Sequence, residues 1–102
     1  MIGLDDGMLP KKPSLPKLEL GQTVMTMGVS DSIESREVFK ALLRHESGDW
    51  GDLCAEDCEA NEEALKSGSR ILSAYADSKG NRFYIMTEAD RSVTTVLLTS
   101  ED

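Results

Sequence analysis

The chain has 102 residues, a formal net charge of −8, 39% hydrophobic residues and only 5% aromatic ones. That length supports one compact core and no second one, and the core must rest on Leu, Val, Ile, Met and Ala. No apolar run approaches the ~20 residues of a membrane-spanning helix. The opening MIGLDDGMLPKKP has neither the basic region nor the long apolar stretch of a secretory signal, which points to the cytoplasm.

The charge is concentrated. Residues 46–63 hold Glu46, Asp49, Asp52, Glu56, Asp57, Glu59, Glu62 and Glu63 with no Lys or Arg among them. Elsewhere the acids and bases cancel, so the whole excess sits in this one segment. Such a field repels nucleic-acid phosphates and attracts a basic protein surface or cations. An acidic helix face that is merely solvated is the plainer reading.

In chain order, residues 1–17 carry Pro10, Pro13 and Pro16 with lysines between and after them. Pro-x-x-Pro spacing favours extended chain, so 1–17 reads as a flexible proline-rich arm, able to dock on a sister subunit in a homodimer. Residues 18–102 form the single folded domain. Within it LELGQTVMTMG suggests a strand near 22–27. SDSIESREVFKALLRHESG then predicts a helix over about 31–46. Ser30, Asp31 or Ser32 could cap it, and Asp31 with Glu34 makes a loose capping box. Val38, Phe39, Leu42 and Leu43 recur at helical spacing as the expected buried stripe.

A second helix is expected over about 53–67, capped by Asp52 and stopped at Gly68. Cys54, Cys58, Asn61 and Leu65 share one stripe of it, and Asp52, Glu56, Glu59 and Glu63 share the opposite one. Three strands follow at 70–76, 82–88 and 93–99, joined by the turn sequences DSKGN and ADRS into an antiparallel meander. Phe83 and Ile85 fall on one face, and Arg82, Tyr84 and Met86 on the other. The fold class is therefore α+β: an N-terminal strand and two helices packed on a mostly antiparallel sheet, burying Phe39, Leu42, Leu43 and Leu65.

The stretch RHESGDWGDLCAEDC holds the only His, the only Trp and both Cys. His45, Cys54 and Cys58, with Asp49 or Asp57, could ligate zinc, but structural zinc sites use a second matched ligand pair that is missing here. The cysteines, four apart on one helix face, are badly placed for a mutual disulfide. ESGDWGDL does not follow the EF-hand spacing. SGDWGD has the glycines of a phosphate cradle with the wrong charge, and no nucleophile elbow appears. No metal or cofactor is expected. Trp50, between Gly48 and Gly51, is either an interface anchor or a plug between the helix ends, and the aromatic-poor core favours the plug.

Two functional classes remain. A non-enzymatic module would bind a basic partner through Asp49, Trp50, Asp52, Glu56, Glu59 and Glu63. A small RNA-cleaving, toxin-like enzyme would use His45, Arg70, Tyr75 and Arg91, with Thr94 or Thr95, to move protons and stabilise charge at phosphorus. The acidic balance disfavours direct nucleic-acid binding and so favours the first. Asn61 is the odd residue of its stripe, since an amide placed inward needs partners. His45, Asn61 and Arg91 are candidates for a polar cluster, either a site or a buried network.

The segments LLRHESGDWGDLCAEDCEANEEAL, RILSAY and FYIMTEADRSVTTVLL resemble a family of small bacterial proteins carried on plasmids and integrated elements, labelled "plasmid-related protein". The resemblance spans residues 20–99 and rests on H-x-S-G-D-W-G, N, L-S-A-Y and T-E-A-D-R-S-x-T. It leaves out the proline-rich arm and both cysteines. It implies a mobile-element setting and no particular reaction. Some members are labelled as restriction–modification subunits, but this chain is too short for a methyltransferase and lacks a cofactor-binding glycine motif.

Overall fold

A computed structural model describes residues 17–102. The proline-rich arm, apart from Lys17, lies outside the described residues. Lys17 itself is tied down: its N–H donates to the Glu46 carbonyl at 2.8 Å, and Leu18 beside it is buried.

The elements are β1 (Gln22–Met25), α1 (Met27–Ser32), α2 (Ser35–Glu46), α3 (Ala55–Ser67), β2 (Ile71–Ala76), β3 (Arg82–Thr87) and β4 (Val93–Leu98), closed by a 3-10 turn at Thr99–Glu101. The architecture is α+β, as expected, with an antiparallel β2–β3–β4 meander. The sheet order is β1-β4-β3-β2, and β1 runs parallel to β4. The segment holding the three helices serves as the long crossover that parallel pairing requires.

The expected first helix is two. Thr26 starts α1, its hydroxyl accepting from the Val29 N–H at 3.2 Å and donating to Glu101 at 2.7 Å. Extended backbone at Ile33 and Glu34 then separates α1 from α2. Ser30, Asp31 and Ser32 therefore lie inside α1 and do not cap α2, whose N-cap is Glu34, without a side-chain bond. The break lets Val29 and Ile33 enter the main core with Val38, Ala41, Tyr75, Phe83, Ile85 and Val96.

The stripe of α2 is also rotated from the expected one. Phe39 is 61% exposed and Leu43 44%, while Val38, Ala41 and His45 are buried and Leu42 packs against them. A reading that scores only apolar residues omits His45, yet this imidazole finds hydroxyl partners on the sheet and so fixes which face turns inward.

In α3 the N-cap is Cys54, exposed and outside the helix, and Asp52 makes no cap. Gly68 ends the helix in the left-handed conformation (φ 81°), which costs a residue without Cβ nothing. Strand β3 buries alternate residues as expected, with Phe83 and Ile85 inward, whereas β2 buries Ser73, Ala74 and Tyr75 in succession. A second cluster of Leu18, Trp50, Ala64 and Ile71, with Leu53 and Leu65 packed on it, fixes α3 to the sheet.

Candidate functional site

Trp50 is the plug. It is 4% exposed, stands edge-on to the His45 ring at 5.8 Å, and donates its indole N–H to Glu62 at 3.0 Å. Around it the corner of residues 44–52 is tightly bonded. Arg44 holds Asp49 through two nitrogens at 2.8 and 3.2 Å and lies over the Tyr75 ring, 4.9 Å from its centroid. That bond keeps the Asp49 carboxyl below its ordinary range. The Tyr75 hydroxyl donates to the Asp49 carbonyl at 2.6 Å, and burial pushes its pKa up to about 12.

This corner covers the β2 edge of the sheet. Ala74 donates to the Trp50 carbonyl at 3.2 Å and accepts from the Asp52 N–H at 2.8 Å, so residues 50–52 act as a one-bridge parallel strand. Gly51 sits there at φ 74°, where a Cβ would run into the Ala74 carbonyl and the Tyr75 ring. One step along, Asn61 reaches from α3 and donates to the Leu72 carbonyl at 2.8 Å, while the Leu72 N–H donates to its Oδ1 at 3.4 Å. An exposed edge invites pairing with foreign chains, and here the side chain of Asn61 stands in for a neighbouring strand.

His45 is fully buried. Its Nδ1 meets Ser73 Oγ and its Nε2 lies 2.9 Å from Thr87 Oγ1. Thr87 and Thr94 hydroxyls are 2.7 Å apart, and Thr94 donates to the Leu20 carbonyl at 2.7 Å. The carbonyl only accepts, so each hydroxyl's single proton is assigned in turn: Thr87 donates to Thr94, His45 Nε2–H donates to Thr87, and Ser73 donates to Nδ1. The imidazole is neutral and doubly satisfied. Burial first, and the Arg91 charge second, lower its pKa to about 4.

Arg91 has positive φ (62°) in the turn before β4. Its guanidinium donates to the carbonyls of Ser69 (2.7 Å), Ala64 (3.0 Å) and Glu88 (3.2 Å), thereby closing the C-terminal end of α3. His45, Asn61 and Arg91 thus hold helices to sheet, each through its own partners and with no mutual hydrogen bond. Of the quartet named for RNA cleavage, His45 and Tyr75 are buried, Arg91 is committed to carbonyls, and Arg70 is exposed. No metal-type cluster of three or more His, Cys, Asp or Glu exists among the described residues. Nor is any helix there long and apolar enough to cross a membrane.

Apart from Glu46 and from Glu62, which accepts from Trp50, the acidic residues of this segment divide into two groups. Asp49 is paired with Arg44, and Asp52 faces Arg82 at 3.9 Å. Glu56, Asp57, Glu59 and Glu63 are exposed on α3, and among the described residues no Lys or Arg comes within 4.0 Å of their carboxylates. Beside them a shallow pocket of about 160 Å³ lies between α3 and β2, lined by Leu53, Asp57, Ala60, Asn61 and Leu72. Its apolar floor was not legible in the sequence, since it joins residues from two distant segments. Trp50, buried, takes no part in this surface. Comparison with protein-family models, curated proteins and solved structures finds no match.

Proposed function

We propose that this chain is a non-enzymatic protein-binding module of a mobile element, in which α3 engages a basic protein surface. The observation that carries this reading is the set of exposed carboxylates of Glu56, Asp57, Glu59 and Glu63 on α3, which no Lys or Arg among the described residues pairs. Repulsion among these charges is offset by helix-dipole attraction near the N-terminus of α3, so the helix presents them at little cost to a partner that neutralises them. A nuclease of host defence, or another nucleic-acid-binding protein, offers the complementary surface, with α3 imitating the charge of a phosphate backbone. The adjoining apolar pocket accepts an aliphatic side chain flanked by Lys or Arg.

The test is direct binding of the full chain to purified basic nucleic-acid-binding proteins, titrated from low to high salt. Exposed charges are screened beyond about 8 Å at physiological ionic strength, so affinity through α3 falls steeply as salt rises. Binding indifferent to salt, or no binding to any basic protein, contradicts the reading.

A further inference from the structure

The two edges of the sheet are built in opposite ways. The β2 edge is covered by Asn61 and by residues 50–52. The β1 edge has no such cover among the described residues, and all four of its residues are exposed. Gln22 N–H donates to the Ser92 carbonyl and Thr26 N–H to that of Val96. Strand alternation therefore turns the N–H and C=O groups of Gln22, Val24 and Thr26 toward β4 and those of Thr23 and Met25 outward. From Leu20 to Ser30 the chain carries no charge and no proline, the usual protections of an edge. Val24, Met25 and Met27 add apolar surface at 39%, 44% and 76% exposure.

We propose that β1 pairs antiparallel with β1 of a second copy, about a two-fold axis at Val24, to give a continuous eight-stranded sheet. Thr23 then exchanges both backbone bonds with Met25 of the partner subunit, and the reverse, so every outward group is satisfied. Val24 faces its own counterpart as a non-hydrogen-bonded pair. The net charge of −8 does not oppose a second copy at this edge, because the segment from Leu20 to Ser30 is uncharged and the acidic surplus lies elsewhere. The acidic α3 packs on β2, at the far side of the sheet. In the paired sheet the two β2 strands stand roughly 34 Å apart at ~4.8 Å per strand, several times the ~8 Å screening length. The contact is small, so the dimer is reversible and concentration-dependent.

Sedimentation equilibrium of the full chain reads this out. The wild type is expected to shift from one to two chain masses as concentration rises into the high micromolar range. Met25→Pro removes an outward donor without touching the β4 ladder, and Val24→Lys sets like charges face to face. Each is expected to weaken dimerisation at least tenfold with unchanged circular dichroism. Mixing Val24→Lys with Val24→Glu restores a dimer, and in wild-type mixed-label samples Val24 Hα shows a contact with Val24 Hα of the other copy. If Met25→Pro fails to fold, the Val24 pair decides. A chain that stays monomeric, with its edge open or covered by residues 1–16, overturns the proposal. So does a dimer indifferent to both Val24 variants.

Discussion

The side-chain amide of Asn61 holds both outward backbone groups of Leu72, one as donor at 2.8 Å and one as acceptor at 3.4 Å. An inward-facing amide on a helix thereby becomes the substitute for a missing strand. Asn61→Ala leaves a partly buried N–H and C=O without partners, at a cost of about 2 kcal/mol. Asn61→Asp costs more, because a carboxylate cannot donate to the Leu72 carbonyl and repels it. Urea unfolding of the three proteins checks both the loss and its order.

His45 makes stability depend on pH in a definite window. Its ordinary pKa of 6.5 falls to about 4 in the fold, so the unfolded chain takes the proton first. The contribution is complete above pH 6.5 and is lost as pH falls toward about 4. A shift of that size corresponds to about 3 kcal/mol. His45→Gln keeps a donor and an acceptor for Thr87 and Ser73 but does not titrate, so its stability is expected to be flat across this window. The carboxyls of Glu37, Asp49, Asp77 and Asp90, all lowered by hydrogen bonds, contribute fully above their ordinary values of 4.5 for Glu and 3.8 for Asp and lose that contribution as pH falls below them. Denaturant titrations from neutral to mildly acidic pH compare the two chains.

Gly51→Ala places a Cβ against the Ala74 carbonyl at a positive φ. Backbone strain of this kind costs on the order of 1–3 kcal/mol, and the displaced corner also loses the Asp52–Ala74 bond. Gly68→Ala serves as the comparison, since its φ is similarly positive but nothing lies within 4 Å of the added carbon. Thermal unfolding is expected to show the larger drop for Gly51→Ala.

Much of this arrangement was legible because local signals agreed with the global fold. The meander turns, the alternation of Phe83 and Ile85, and the stop at Gly68 all appear in the strands and helix they announced. Trp50 as a plug followed from the scarcity of aromatic residues. What stayed hidden was non-local. The pairing of β1 with β4 joins residues some seventy positions apart in sequence. The rotation of α2 depended on hydroxyls of Ser73 and Thr87 that solvate a buried imidazole, and no pattern within the helix encodes them. Asn61 was recognisable as needing partners, but not that these were backbone groups of a strand edge.

The division of labour between a bonded corner and a free acidic face is tested most directly on one variant. Glu56→Gln, Asp57→Asn, Glu59→Gln and Glu63→Gln are combined in one full chain, and its unfolding free energy is measured beside its affinity for a basic nucleic-acid-binding protein. Lost helix-dipole attraction at Glu56 and Asp57 and relieved repulsion along the helix offset each other, each at roughly 0.3–1 kcal/mol. Near wild-type stability with binding abolished is the expected result. Binding that survives the four substitutions in a folded protein would contradict it.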